Sequence, residues 1–470
     1  MTDLRVRPEP AVRPPRSRPG LFRALWRWHF YASFLVVPVL LVLASTGLVY
    51  LLRFQLEPLL HADLMRVEAP SGDIVRKSYA AQEEAVAAAH PDATIVSMRE
   101  PEGHDGSTVF STTLADGSTR DVFVDPYDAE VLGALDPDTT LSGYAVRLHA
   151  ELMAGRWGDH LLELGACWAI VMALTGYYLF VRGWRARVRG RRARRPGARL
   201  RVVHAWSGSA VGLGLLMLLV SGLPWTGVWG EQAQELATDR GSSLWSTDPG
   251  AVSGPVSTLD ESLPHSHQHE VPWAMGDTSV PSSSGHTHGT AAVTLDRAVM
   301  VADHEGLRHP MTVALPAGEA GVYSVIGYAF DAPQDERTVH VDRHDGSVVA
   351  AYGFEDYPAL AKTVSLGIGL HEGRSLGGWS FAVAVLTCLL VIGSCVTGPL
   401  LWWRRRPRGR TSLGAPRGRL PLRTSPLLLL GVVALGVLLP LFGVSLLLVL
   451  ALDQVVVRRV PRLAGWFGAA

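Results

Sequence analysis

The chain has 470 residues, 48% of them hydrophobic, with 43 basic and 43 acidic side chains that cancel to a formal net charge of zero. It is too long for one ordinary soluble domain, and its apolar residues gather into runs of about twenty, enough to cross a hydrocarbon core of roughly 30 Å at about 1.5 Å per helical residue. Its three cysteines, Cys167, Cys388 and Cys395, all fall within those runs, which excludes a disulfide-stapled scaffold and leaves an α-helical integral membrane protein as the expected class.

In chain order, residues 1–28 form a Pro/Arg-rich tail and 29–53 the first span. No small-residue cleavage site follows that span, so a retained helix is expected rather than a signal peptide. Residues 54–146 make a first outer domain. There the helical stretch SYAAQEEAVAAAHP precedes alternating residues around an Asp-Gly turn, and VDPYDAEVL supplies a second turn. The second span, 147–182, begins with the polar lead-in RLHAELMAGRWGDH before its apolar run at 160–181. A basic loop at 183–201 leads to the third span at 202–225. The second outer domain, 226–368, again reads as a small helix (TLDRAVMVADHEG) followed by strands, and carries a histidine-rich insert at 264–289. Both outer domains are therefore expected to be small and α+β in class. A fourth span with its lead-in occupies 369–403, and a second basic loop 404–425. An apolar stretch at 426–457 and a tail at 458–470 end the chain.

Arginines crowd the tail and both short loops, whereas the two long loops are mixed or acidic. The positive-inside rule then places the N-terminus and the arginine loops in the cytoplasm and both large loops outside, in a plasma (inner) membrane. Arginine runs beside membrane spans favour contact with lipid over nucleic acid, and no nucleic-acid partner is expected. The stretch at 426–457 has Pro440 near its middle. A single helix would carry Arg458, Arg459 and Arg462 outside, against the rule, so a hairpin turning at LPLFG is favoured although its arms are short.

The chain also repeats itself. His29 aligns with His204, Thr46-Gly47 with Ser221-Gly222, and Tyr50 with Trp225, all at one offset. At a second constant offset, His149 matches His371, Gly155 matches Gly377, Trp157 matches Trp379, and Thr175-Gly176 matches Thr397-Gly398. Each half is span, outer domain, span, so a four-helix core with a pseudo-twofold axis along the membrane normal is expected. The paired Thr/Ser-Gly steps suit close helix approach.

This order resembles the PepSY-associated transmembrane family of iron-regulated membrane proteins. WHFYASFLVVPVLLVLASTG resembles the family's opening helix, LHAELMAGRWG and LHEGRSLGGW its helix beginnings, and VDPYDAEVLG and VHVDRHDGSVV the ending of PepSY domains. The resemblance covers roughly residues 25–405 and implies two PepSY-like outer domains. It also implies a ferric-siderophore reductase with b-type haem in the membrane, fed by a membrane quinol or a cytoplasmic reductase and acting on a ferric siderophore or other ferric chelate. Two rival functions are a PepSY-type membrane regulator of a protease, without haem, and a copper- or zinc-handling membrane protein.

Symmetry brings equivalent positions toward a shared axis, so His29 with His204, and His149 with His371, could each face one iron from opposite sides. The pairs are the expected axial ligands of two haem b groups; bis-imidazole ligation suits electron transfer. Zinc or copper between the helices is the competing ligand. A straight second helix would put His149 about 16 Å beyond His160. Either the helix projects and holds the cofactor at the interface, with Trp157 and Trp379 at headgroup depth, or Gly155 and Gly158 break it so that its first part folds back. His160 is the rival outer ligand, but its repeat equivalent is Ala382. Glu163 is costly in lipid and should face the bundle interior. His265, His267, His269, His286 and His288 offer a copper or zinc tract on a loop. No metalloprotease, P-loop, Rossmann or nucleophile-elbow pattern is present.

Overall fold

A computed structural model describes residues 20–70, 75–192, 197–230, 232, 257–258, 279–283, 293–327, 333–406, 413–414 and 425–468. The first half contains α1 (Leu21–Leu51), α2 (Arg53–Leu60), α3 (Tyr79–Ala89), β1 (Thr94–Arg99), β2 (Thr108–Thr113), β3 (Thr119–Val124), β4 (Val131–Leu135), α4 (Leu141–Glu151) and α5 (Arg156–Arg182). The second contains α6 (Ala198–Gly222), α7 (Leu295–His304), β5 (Thr312–Ala314), β6 (Val322–Gly327), β7 (Arg337–Asp342), β8 (Val348–Gly353), α8 (Ala359–His371) and α9 (Gly378–Arg405). Then follow α10 (Pro426–Leu438), α11 (Pro440–Leu452) and α12 (Pro461–Phe467). Among the described residues, five helices are long and apolar enough to cross a membrane: Leu21–Leu51, Arg156–Arg182, Ala198–Trp225, Gly378–Arg405 and Pro440–Val457.

Four of these form a bundle in which α1 packs on α5 and α9, and α6 packs on the same two. Its interior is aliphatic, with Val36, Leu40, Ala44, Ile170, Val211, Leu219 and Val391 buried together. Small residues let the backbones close. A methyl group added at Gly165 would sit 2.6 Å from Val39, and one at Gly214 would sit 2.7 Å from Thr387, so larger residues there would force the helices apart. Leu213, Val220, Leu386 and Leu389 stay exposed on the outside, as lipid-facing side chains require.

The strands differ from the expected pair of separate domains. They form one antiparallel eight-stranded sheet in the order β8-β7-β6-β5-β1-β2-β3-β4. The two halves join where β1 pairs β5 through Ser97 with Ala314, Met98 with Val313 and Arg99 with Thr312. Each half alone would leave an edge strand with unpaired backbone groups, and pairing the two edges satisfies both. Helices α3 and α7 cover one face, burying Val86, Leu295 and Ala298 on Met98, Phe110, Val122, Val313, Val325 and Val339. The halves are also tied by side chains. Asp296 of α7 accepts hydrogen bonds from the backbone N–H of Tyr79 (2.8 Å) and Ala80 (3.0 Å) at the start of α3, where a carboxylate favours the helix N-terminus.

Both lead-ins break and fold back, the second of the two arrangements expected. Leu152 and Met153 have φ of 52° and 54°, and Gly155 has φ of 58°, immediately before α5 begins. Between α8 and α9 the same work falls to Gly373 (φ 70°) and Gly377 (φ 56°). The left-handed backbone that glycine tolerates ends one helix and starts the next at a new angle. As a result α4 packs along α1, and α8 along α6. Trp157 and Trp379, at the heads of α5 and α9, remain 84% and 81% exposed.

The C-terminal stretch is a hairpin. α10 and α11 pack on each other, with Gly436 against Gly443 at the turn. Trp168 Nε1 of α5 donates to Ser445 Oγ (2.9 Å), which fastens α11 to the bundle. The chain then returns to the start of α1, where Tyr31 Oη donates to the Phe467 carbonyl (2.7 Å) and Arg27 to that of Gly468 (3.1 Å).

Candidate functional site

Each of the four repeat-related histidines lies against one of the four Thr/Ser-Gly steps. His149, in the last turn of α4, places Nδ1 2.9 Å from Thr46 Oγ1 on α1. His371, in the last turn of α8, places Nδ1 3.0 Å from Ser221 Oγ on α6. His29 on α1 has Nδ1 3.3 Å from Thr175 Oγ1 and 3.0 Å from the Met172 carbonyl, both on α5. His204 on α6 has Nδ1 3.4 Å from Thr397 Oγ1 on α9. The glycine following each hydroxyl residue makes room for the ring. A Cβ would approach the ring carbon Cε1 to 3.4 Å at Gly47, 3.3 Å at Gly222, 3.2 Å at Gly176 and 3.7 Å at Gly398.

The hydroxyls fix the tautomer. Thr46 Oγ1 donates its own proton to the Val42 carbonyl (2.8 Å), Ser221 Oγ to Met217 (2.7 Å) and Thr175 Oγ1 to Met172 (3.0 Å). With its proton engaged in the helix, each oxygen accepts from the imidazole. The Met172 carbonyl can only accept, so His29 must carry its proton on Nδ1. In a neutral ring this makes Nε2 the basic nitrogen, and the partner on one nitrogen decides which atom can bind a metal.

One pair of rings meets. The centres of His149 and His371 are 6.3 Å apart with the planes at 90°, and Trp225 stands edge-on to His371 at 5.6 Å. His29 and His204 lie within electrostatic reach of each other. The layers are well separated: Thr46 follows His29, and Ser221 follows His204, by seventeen residues, about 25 Å of helix.

The profile of the PepSY-associated TM region matches residues 26–405. The chain belongs to this family. No curated protein matches it. In this PepSY-associated TM protein the matched region contains all four histidines, all four hydroxyl-glycine steps and the eight-stranded sheet.

Other candidates fall elsewhere. His160 sits in the first turns of α5 beside Asp159 and Gly227, its Nδ1 buried and without a hydrogen-bond partner. Glu163, completely buried, accepts from the backbone N–H of Val228 (2.9 Å) and Trp229 (3.1 Å), and Asp159 accepts from Gly227 (2.9 Å). These two carboxylates hold the chain that leaves α6. His340 in the sheet is a satisfied core histidine, bonded to Ser324 Oγ (2.9 Å) and Tyr352 Oη (2.7 Å), and burial lowers its pKa to about 3. Among the described residues no group of three or more His, Cys, Asp or Glu is placed to hold a metal ion. His265, His267, His269, His286 and His288 lie outside the described residues.

Thr46, Thr175, Ser221 and Thr397 were legible only as helix-packing positions. The signal that could have found them is the repeat itself, because histidines and hydroxyl-glycine steps recur at the same two offsets.

Proposed function

We propose that this protein is a haem b oxidoreductase of the plasma membrane that passes electrons across the bilayer to a ferric siderophore or other ferric chelate outside. In this reading the arginine-rich side is cytoplasmic and the sheet extracytoplasmic. The two halves are copies of one span–PepSY-like domain–span unit, and a quinol or a cytoplasmic reductase supplies the electrons.

The observation that carries the reading is the 6.3 Å separation of His149 and His371. Two imidazoles on one metal ion, each with a bond of about 2 Å, hold their ring centres roughly 6 Å apart. A porphyrin brings four nitrogens of its own, so a site with two protein ligands fits haem where it would not complete zinc. Haem, when bound, supplies reversible one-electron exchange. His149 and His371 would hold one group and His29 and His204 the other. Thr46, Ser221, Thr175 and Thr397 orient the rings by taking Nδ1, and the adjacent glycines let each ring lie close to its helix. The aliphatic bundle interior excludes water between the layers and lowers the local dielectric, which tunes potential through burial.

A reduced-minus-oxidised spectrum of the detergent-purified protein tests this directly. A b-type α-band, with two haems per chain, is expected. Its absence after expression with ample haem would overturn the reading.

A further inference from the structure

The two outer histidines are anchored differently. The helix of His149 is pinned at its N-terminus, where Glu57 of α2 accepts from Ser142 N–H (2.6 Å) and Ser142 Oγ (2.7 Å). The helix of His371 is pinned at its C-terminus, by a buried ionic cluster. Arg374 Nε donates to Glu372 Oε2 at 2.5 Å, and its Nη1 and Nη2 both donate to Glu336 Oε1 at 3.2 Å. Ser365 Oγ of α8 donates to the other Glu336 oxygen at 3.3 Å. Glu336, Glu372 and Arg374 are 2%, 5% and 3% exposed.

Glu336 belongs to the sheet: it immediately precedes β7, and its carbonyl accepts from Phe354 N–H (3.0 Å) just beyond β8. Glu372 directly follows His371. Under the repeat, Glu372 and Arg374 fall where the first half has Ala150 and Leu152. The cluster therefore breaks the pseudo-symmetry of the outer site. A buried ion pair is poor as a source of stability, because desolvation offsets its Coulomb attraction, yet removing one partner strands the other. Its best-attested use is to fix one arrangement over alternatives.

We propose that Arg374, clamped between Glu336 of the sheet and Glu372, is a positioning residue that couples the extramembrane sheet to His371 and so sets the potential of the outer centre. The proposal rests on the haem reading for its redox readout but not for its mechanical one. A chelate or protein docking on the sheet would act on one of the two histidines that would hold that group and leave the inner centre untouched. The cluster places charge as well as geometry, so its variants carry opposite signs. Arg374→Gln removes a positive charge, favours the oxidised centre and lowers its potential. Burial raises the Glu336 carboxyl to about 7 against the pull of Arg374, so above that pH Glu336→Gln removes a negative charge and raises the potential.

Redox titration in detergent, with the two centres resolved, is the test. Each single variant should change the reduction equilibrium of the outer centre by on the order of tenfold, about 59 mV for one electron. The shifts should be opposite in sign, the double variant should return toward the parent, and the inner centre should not move. Equal-signed shifts, or shifts in both centres, would show a general loosening and overturn the proposal. Amide hydrogen exchange on the same samples supplies the readout that needs no haem. Glu336→Gln should raise exchange in the last turn of α8 and not in α4, and confinement of the change to β7 would also overturn it. A missing haem spectrum sinks the parent reading, while the exchange result still decides the coupling.

Discussion

The inner and outer histidine pairs use the same side-chain contacts on different backbones. His29 and His204 are part of the long helices α1 and α6, so their positions are fixed by the packing of the bundle. His149 and His371 sit at the ends of short helices that fold back beside α1 and α6 after leaving the sheet. The inner pair can move only if a span moves, whereas the outer pair answers to the extramembrane domain. If the four histidines hold two haems, one layer rides on the spans and the other on helices tied to the sheet, which is the division expected if electrons leave at the sheet side.

On the proposed haem reading, removing one of the four histidines breaks the comparison most severely. His149→Ala or His371→Ala should abolish one haem and leave the other, and His29→Ala or His204→Ala should do the reverse, read as halved haem content per chain. Loss of both haems from a single outer variant would mean that the layers are not independent. Retention of both after His149→Ala would transfer the outer role to His160.

Next come the hydroxyls. Thr46→Val keeps the shape but removes the acceptor for His149 Nδ1, and loss of such an outer partner costs roughly 10–100-fold in metal-site affinity. Thr397→Val should cost less, because its hydroxyl lies 3.4 Å from His204 rather than the 2.9 Å found at Thr46. Haem dissociation rates of the two variants, compared at each centre, check the order. Equal losses would show that the longer inner contacts matter as much as the shorter outer ones.

The glycines give a smaller effect and a sharper ranking. Gly176→Ala would place a methyl 3.2 Å from the His29 ring, whereas at Gly398 the same methyl would lie at an ordinary 3.7 Å from His204. Overpacking of this kind costs about 1–3 kcal/mol, so Gly176→Ala should lower thermal stability and shift the inner-centre spectrum more than Gly398→Ala. The inner pair is then asymmetric in its tolerance although symmetric in its sequence.

Much of this was legible in the chain because it is periodic. Apolar runs marked the spans, and two constant offsets marked the equivalent histidines. The favoured hairpin at Pro440 agrees with the docking of Phe467 and Gly468 on Tyr31 and Arg27. What escaped were contacts between elements far apart in sequence. Thr46 and His149 are separated by 103 residues, and nothing local to either declares the other. The sheet escaped for a related reason: the alternation in each half is complete in itself, and only the pairing of β1 with β5 shows that the two edges are one seam. The break was expected at Gly155 and Gly158, and it begins a little earlier, at Leu152 and Met153, residues whose positive φ no sequence signal announces.

That seam supplies the smallest predicted effect, and one that depends on pH. His309 Nδ1 is 2.6 Å from Glu100 Oε2, and the same carboxylate accepts from Met311 N–H (2.8 Å) and, through Oε1, from Tyr79 Oη (2.7 Å). Burial alone would lower the His309 pKa, but the bonds and charges of Glu100 and Asp303 outweigh it and hold the value above the ordinary 6.5. The folded state therefore binds the proton more tightly than the unfolded chain. Its contribution is complete below about pH 6.5 and is lost as pH rises through the folded value. The ring is half exposed, at 52%, so solvent screening limits the gain to about 1 kcal/mol or less. Amide exchange in β1 and β5 should accelerate modestly from about pH 6 to about pH 8 beyond the intrinsic chemical rate, and His309→Gln should remove that excess. An excess that survives the substitution would assign the pH response to another group and leave His309 a passive neighbour of the seam.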